Sequence, residues 1–177
     1  MVKQGSRDRN FGELQYDNEF WRFSLTIYEP ADVAAECLAL QEAIGLDVNL
    51  LLFCAWLGTR AIALRRSDIE AASRIVAPWH DSVVRPLRGV RRYIKTQYGD
   101  EFEILRSRVK DNELQAEQIE QAMLFAYAQG IQSSLGVTDH RDAITRNVNE
   151  YISMISNAAS PVPAAPLLIR AAQHFAK

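Results

Sequence analysis

Trp79-His80-Asp81, directly after Pro78, is the one place in this chain where an aromatic ring, an imidazole and a carboxylate crowd together. Imidazole titrates nearest neutral pH, and a neighbouring carboxylate can orient it or hold its charge. A proline inside a helical pattern deletes a backbone donor and bends the rod, and a bend can line a pocket. Trp79, His80 and Asp81 are therefore a candidate pocket for a small molecule or an enzyme's substrate. The plainer alternative is a packed tryptophan followed by a solvated His–Asp pair.

Other chemistries find less support. No GxSxG, P-loop or GxGxxG spacing occurs, so no catalytic residue is assigned. His80, His140 and His174 are scattered, without HExxH or paired Cys/His spacing, and neither a metal site nor a cofactor is expected. Cys37 and Cys54 lie in apolar helical patterns and read as small buried hydrophobes, not as a redox pair. Asp47 and Asn49 would suit a polar pocket wall, but capping the helix that follows already gives them a sufficient role.

Charge is segregated along the chain. From Arg60 to Lys95 nine basic residues face three acidic ones, a balance of +6; from Asp100 to Glu120 seven acidic residues face three basic ones, a balance of −4. Arg85, Arg88, Arg91, Arg92 and Lys95 share one broad helical face, and Glu113, Glu117 and Glu120 align on another. An acidic protein surface, or a second copy of the chain, is the partner expected on the basic stripe. The alternative is internal: two neighbouring helices with complementary faces. Arginine also suits phosphate. However, the net charge of −2 and the absence of a DNA-binding motif argue against nucleic acid.

The elements that must position these groups are helices. Only eight glycines occur, alternating strand patterns are nearly absent, and apolar residues recur at helical spacing. Asp17 or Asn18 caps a first helix with Phe20, Trp21, Leu25 and Tyr28; Pro30 opens a second, which Gly45 closes. Asp47 caps a third whose run Leu50–Leu57 is apolar all round, and a helix without a polar face must be enclosed by others. Ser67-Asp68-Ile69-Glu70 reads as a capping box for a long element to about residue 98, kinked at Pro78 and Pro86. Phe102, Leu105 and Val109 mark a short piece, Asn112 starts a further helix ending at Gly130, and Thr138 or Asp139 opens the last major one. The expected fold is all-α: a single-domain bundle of about six to seven helices around a central apolar helix, 47–64. A flexible arm (1–16) precedes the helical domain (17–157), and a proline-rich linker with a short C-terminal helix (158–177) follows it.

The ordered set Phe20-Trp21-Arg22-Phe23-Ser24-Leu25, Cys37-Leu38-Ala39-Leu40-Gln41 and Gly45-Leu46-Asp47-Val48-Asn49-Leu50-Leu51-Leu52-Phe53 resembles a family of small proteobacterial proteins known only as a conserved domain of unknown function. The likeness spans roughly residues 17 to 130. It implies a bacterial, cytoplasmic setting and transfers no activity, cofactor or catalytic residue. The first ten residues are polar, so no secretory signal is expected, and no apolar run reaches the length of a membrane span. The expectation is a soluble, non-catalytic helical adaptor or regulator that works through protein contacts on the 85–95 stripe. The cleft-forming alternative at Trp79–His80 and, third, phosphate or nucleic-acid binding stand beside it.

Overall fold

A computed structural model of the chain describes residues 13–131, 139–156 and 163–176. The start of the expected arm, the proposed Thr138 cap and Ser160-Pro161-Val162 of the linker lie outside them. Among the described residues every regular element is helical: α1 (Glu19–Tyr28), α2 (Ala31–Ile44), α3 (Val48–Thr59), α4 (Arg66–Trp79), a π-helical turn (His80–Val84), α5 (Arg85–Tyr98), α6 (Glu103–Ala128), α7 (His140–Ile155) and α8 (Pro166–Phe175). The segment α4–π-turn–α5 is one unbroken rod, which makes seven rods among the described residues.

Several boundaries follow directly from capping chemistry. Asn18 accepts the Trp21 N–H at 2.8 Å, and Asp47 and Asp139 accept the N–H groups of Asn49 and Arg141 at 2.8 and 2.9 Å. Gly45 ends α2 in the left-handed region (φ 70°), where its N–H reaches the Gln41 carbonyl.

The middle of the chain departs from expectation in two places. The box expected to begin at Ser67 is shifted: helix α4 starts at Arg66, and the Asp68 carboxylate accepts the Arg65 N–H at 2.9 Å. Between the two, the long element expected to about residue 98 is present: helix runs on through Pro78 and Pro86, and the wide π-turn lies where the Pro86 ring would meet the carbonyl of the preceding turn in a regular α-helix. Asn112 starts nothing, because α6 runs unbroken through it for 26 residues. No glycine or proline interrupts residues 103–128, and a mid-helix asparagine costs only a few tenths of a kcal/mol, about 0.7 at most.

Helix α3 is the centre, although it ends at Thr59 rather than reaching residue 64. Every residue from Asn49 to Gly58 is buried, and α7 is its most extensive neighbour. Gly58 permits that approach: a Cβ there would stand 2.5 Å from the Ile144 Cα. The aromatic core around α3 pairs Phe20 with Phe53 and Trp56 at ring distances of 5.7 and 5.2 Å. Trp21 is only half-buried and Leu25 is exposed, so Phe23 and Ile27 carry the inner face of α1.

The segment between α3 and α4 is held by Asn147, whose side chain bonds to Cys54, Ile62 and Leu64. Helix α8 packs on α2, α3 and α7, burying Leu168 and Ala172, and its first N–H groups donate to the Glu36 carboxylate. The C-terminal helix is thus seated on the core. Among the described residues, no helix is long and apolar enough to cross a membrane.

Candidate functional site

The rod α4–α5 lies antiparallel to α6, and four residues of the rod define the pairing. The Trp79 indole donates to the Ala116 carbonyl (2.9 Å), His80 meets Glu120, Arg88 reaches Glu113 and Glu117 (3.0 and 2.7 Å), and Arg91 bonds to Glu113. Two charged clusters result, one at each end of this seam.

The first is an ion-pair network. Glu113 is almost fully buried and receives two guanidinium groups. Burial alone would raise its carboxyl, but hydrogen bonds from Arg91 and Arg88 outweigh that and hold it below its ordinary value. Glu117 shares only Arg88, so burial prevails and its carboxyl lies above its ordinary value. The arginine stripe is therefore divided. Arg88 and Arg91 turn inward onto α6, as the internal alternative expects. Arg85 pairs with Asp81 one turn away, Arg92 reaches Glu42 at 3.2 Å, and both pairs are solvated. Lys95 is exposed.

The second cluster is new. Glu120, in line with Glu113 and Glu117 in the sequence, faces different company: its two oxygens lie 3.2 Å from His80 Nδ1, and Asp47 Oδ2 lies 3.3 Å from the same nitrogen. Glu120 is wholly buried, while His80 and Asp47 keep about a tenth of their side-chain surface. Burial pushes the Glu120 carboxyl far above the ordinary carboxylate range, and Asp47 raises it further. Asp47 is held on several sides: Oδ1 caps α3, its N–H donates to the Tyr151 hydroxyl at 2.9 Å, and its carbonyl accepts from that hydroxyl at 3.3 Å. Behind it, Asn49 Oδ1 accepts from Gln121 at 2.9 Å. Two carboxylates and an imidazole are the donor set of a proton relay or of a transition-metal site.

Asp47 and His80 form part of the wall of a cleft of about 800 Å³ between the rod, the α2–α3 turn and the end of α7. Arg85, Arg88 and Arg92 line the same wall of the rod, and Tyr151 faces them from α7. Of the pocket expected from sequence, His80 and Asp81 line the cleft, whereas Trp79 turns away onto α6. His80 belongs to the π-turn, a local widening of the helix often found at functional positions. Nothing in the sequence marks Asp47 and Glu120 as partners of His80. Asp47 had a cap role, Glu120 fell in a charged stripe, and the groups are far apart along the chain.

The remaining candidates stay apart. His140 stands beside Asp139 at the start of α7, and His174 bonds to the Arg170 carbonyl on the surface. Cys37 and Cys54 are buried free thiols; burial pushes the first up to about 12 and the second higher still, so both are unreactive near neutral pH.

A family described as a protein of unknown function (DUF2390) matches residues 19–124, a span that contains Asp47, His80, Glu120 and the whole arginine stripe. No curated protein and no solved structure matches the chain.

Proposed function

The chain belongs to the DUF2390 family, which brings no activity with it, and we propose from the geometry that its cleft binds a small anionic molecule bearing a carboxylate or phosphate. The observation that carries this proposal is the placement of Arg85 and Arg92, each in only a solvated pair, on the same cleft wall as the inward-facing His80–Asp47. Exposed pairs of this kind contribute about 0–1 kcal/mol, so an anion can take the guanidinium groups from Asp81 and Glu42 at little cost. Forked guanidinium groups favour planar carboxylate and phosphate oxygens. The two buried, unpaired thiols fit the reducing interior of a cell.

A thermal-shift series with carboxylate and phosphate metabolites tests the proposal. A ligand at 100 times its Kd stabilises the folded chain by about 2.7 kcal/mol. The expected result is a concentration-dependent rise in Tm for wild type that disappears in Arg85→Ala/Arg92→Ala. A flat response across the series refutes it.

A second reading rests on a different observation. The α5–α6 hairpin end exposes Tyr93, Tyr98, Phe102, Ile104 and Leu105, with Tyr98 and Phe102 in edge contact at 5.0 Å. A cluster of exposed large apolar side chains is a feature of protein-contact surfaces. Under this adaptor reading the docking surface is the hairpin's apolar end together with Arg85, Arg92 and Lys95. Phe102→Glu/Ile104→Glu should then abolish co-purification of a host protein while leaving helicity unchanged. Undiminished capture by that variant counts against it.

A further inference from the structure

We propose that Asp47, His80 and Glu120 form a binding site for a single divalent transition-metal ion of the zinc class, with a remaining coordination position turned toward the cleft. Among the described residues these three make the one convergent group of metal-ligating side chains, and one ligand atom from each lies within 4.8 Å of the others. The spacing suits a metal. Tetrahedral ligands at about 2.0–2.1 Å from zinc stand about 3.3 Å from one another. His80 Nδ1 lies 3.2 Å from Glu120 and 3.3 Å from Asp47.

Charge points the same way. Two carboxylates meet one imidazole in a region where Glu120 has no exposed surface. A divalent cation with a neutral imidazole brings the set to zero, which the low-dielectric interior favours. The imidazole selects against magnesium and calcium, which take oxygen donors, and favours zinc, iron, nickel or copper.

The surroundings are those of a supported site. Asp47 uses Oδ1 for the α3 cap and leaves Oδ2 toward His80, so metal binding costs the cap nothing. Tyr151 and the Asn49–Gln121 pair fix the backbone and neighbours around Asp47. Three protein ligands with a fourth position open are typical of zinc sites that act on a substrate rather than merely brace a fold. Asp47 and His80 line the cleft while Glu120 lies deeper, so that open position faces the cleft. The inference rests on the small-ligand reading only for what would fill that position; the ion's own binding does not require it.

The experiment uses the full chain stripped with chelator and then titrated with Co(II), whose low-coordinate complexes absorb in the visible where zinc is silent. One equivalent of cobalt should bind with a visible band, zinc should displace it, and magnesium should not. Glu120→Gln keeps the shape of the side chain and one acceptor oxygen without its charge, so this variant should fold normally and bind cobalt more than about 100-fold more weakly. His80→Ala should lose the band as well, whereas Arg85→Ala/Arg92→Ala should keep it. Absence of stoichiometric cobalt in wild type, or equal binding by Glu120→Gln, overturns the site. If anions still stabilise a wild type that takes no cobalt, the metal site fails and the cleft reading stands. Cobalt bound without any anion effect supports the site and removes the cleft reading.

Discussion

Replacing Asn147 with leucine should cost the protein about 3 kcal/mol, although the new side chain has the same length and branching. Asn147 has no exposed surface. Its Oδ1 accepts the Leu64 N–H at 2.9 Å, and its Nδ2 donates to the carbonyls of Cys54 at 3.1 Å and Ile62 at 2.9 Å. The Cys54 carbonyl lies within α3 and keeps an acceptor role in the helix ladder, so its loss is minor. The Leu64 N–H and Ile62 carbonyl lie between helices, and leucine leaves both without this partner. A buried polar group left unsatisfied costs about 1–3 kcal/mol, and two such groups offset by the easier burial of leucine give a net of about 3. In a chain of this size each kcal/mol moves Tm by about 2–4 °C, so thermal unfolding followed by far-UV circular dichroism should show a fall of about 6–12 °C. Urea unfolding supplies the free energy directly. A loss under about 1 kcal/mol would refute the view that Asn147 holds the α3–α4 connection. Asn147→Asp adds a control with a sign. It buries a carboxylate against two carbonyls, so its folded pKa should be raised, and stability lost at neutral pH should return as the pH is lowered and the acid regains its proton.

Gly58→Ala should destabilise the fold by about 2–3 kcal/mol in the same assay, because the added carbon meets the Ile144 backbone at 2.5 Å and forces α3 and α7 apart. Gly89→Ala has the opposite sign: the new carbon meets nothing within 4 Å and the residue lies inside α5, so unfolding should show a gain of about 0.5–1 kcal/mol. Glu113→Gln should lose about 3 kcal/mol at neutral pH by leaving Arg88 and Arg91 without their shared charge. Because Glu113 has a folded pKa below its unfolded value, its contribution is present above about pH 4.3 and is lost as the pH falls through the folded value; wild type and variant should converge there. Glu36→Ala should release the first turn of α8 at a cost of about 1–2 kcal/mol, seen as faster amide exchange at Leu167 and Leu168.

Much of the fold was legible because capping is a local transaction. Asn18, Asp47, Asp139 and Gly45 end helices by bonds that close within a few residues, and those bonds can be read from side-chain type and spacing. The encirclement of α3 was legible for a similar reason, since a helix with no polar face dictates its own surroundings. Local signals also misled. Asn112 has the chemistry of a cap, but nothing nearby breaks α6, and an unbroken ladder outweighs a modest preference. The arginine stripe was visible as a face but not as a division, because the inward turn of Arg88 and Arg91 depends on where Glu113 and Glu117 sit on another helix. The candidate site was least legible. His80 and Glu120 are 40 residues apart, and Asp47 lies in a different helix pair; only the packing of α3, the rod and α6 joins them. The π-turn left no more trace than two prolines that read as kinks.

That turn has a geometric consequence for the cleft wall. Along a regular α-helix each residue advances by about 100°, so Ser73, Ala77 and His80 share one azimuth, whereas Arg85, Arg88 and Arg92 would be set off from them by about 100° if α4 simply continued. The extra residue in the wide turn absorbs that difference, and both groups line the same wall. The turn thus works as a phase shifter between two halves of a single rod. Which residues look into the cleft is decided by a count of residues as much as by their identity. Removing one residue between His80 and Val84 would rotate the three arginines as a set off the wall that carries His80, without changing a single side chain among them.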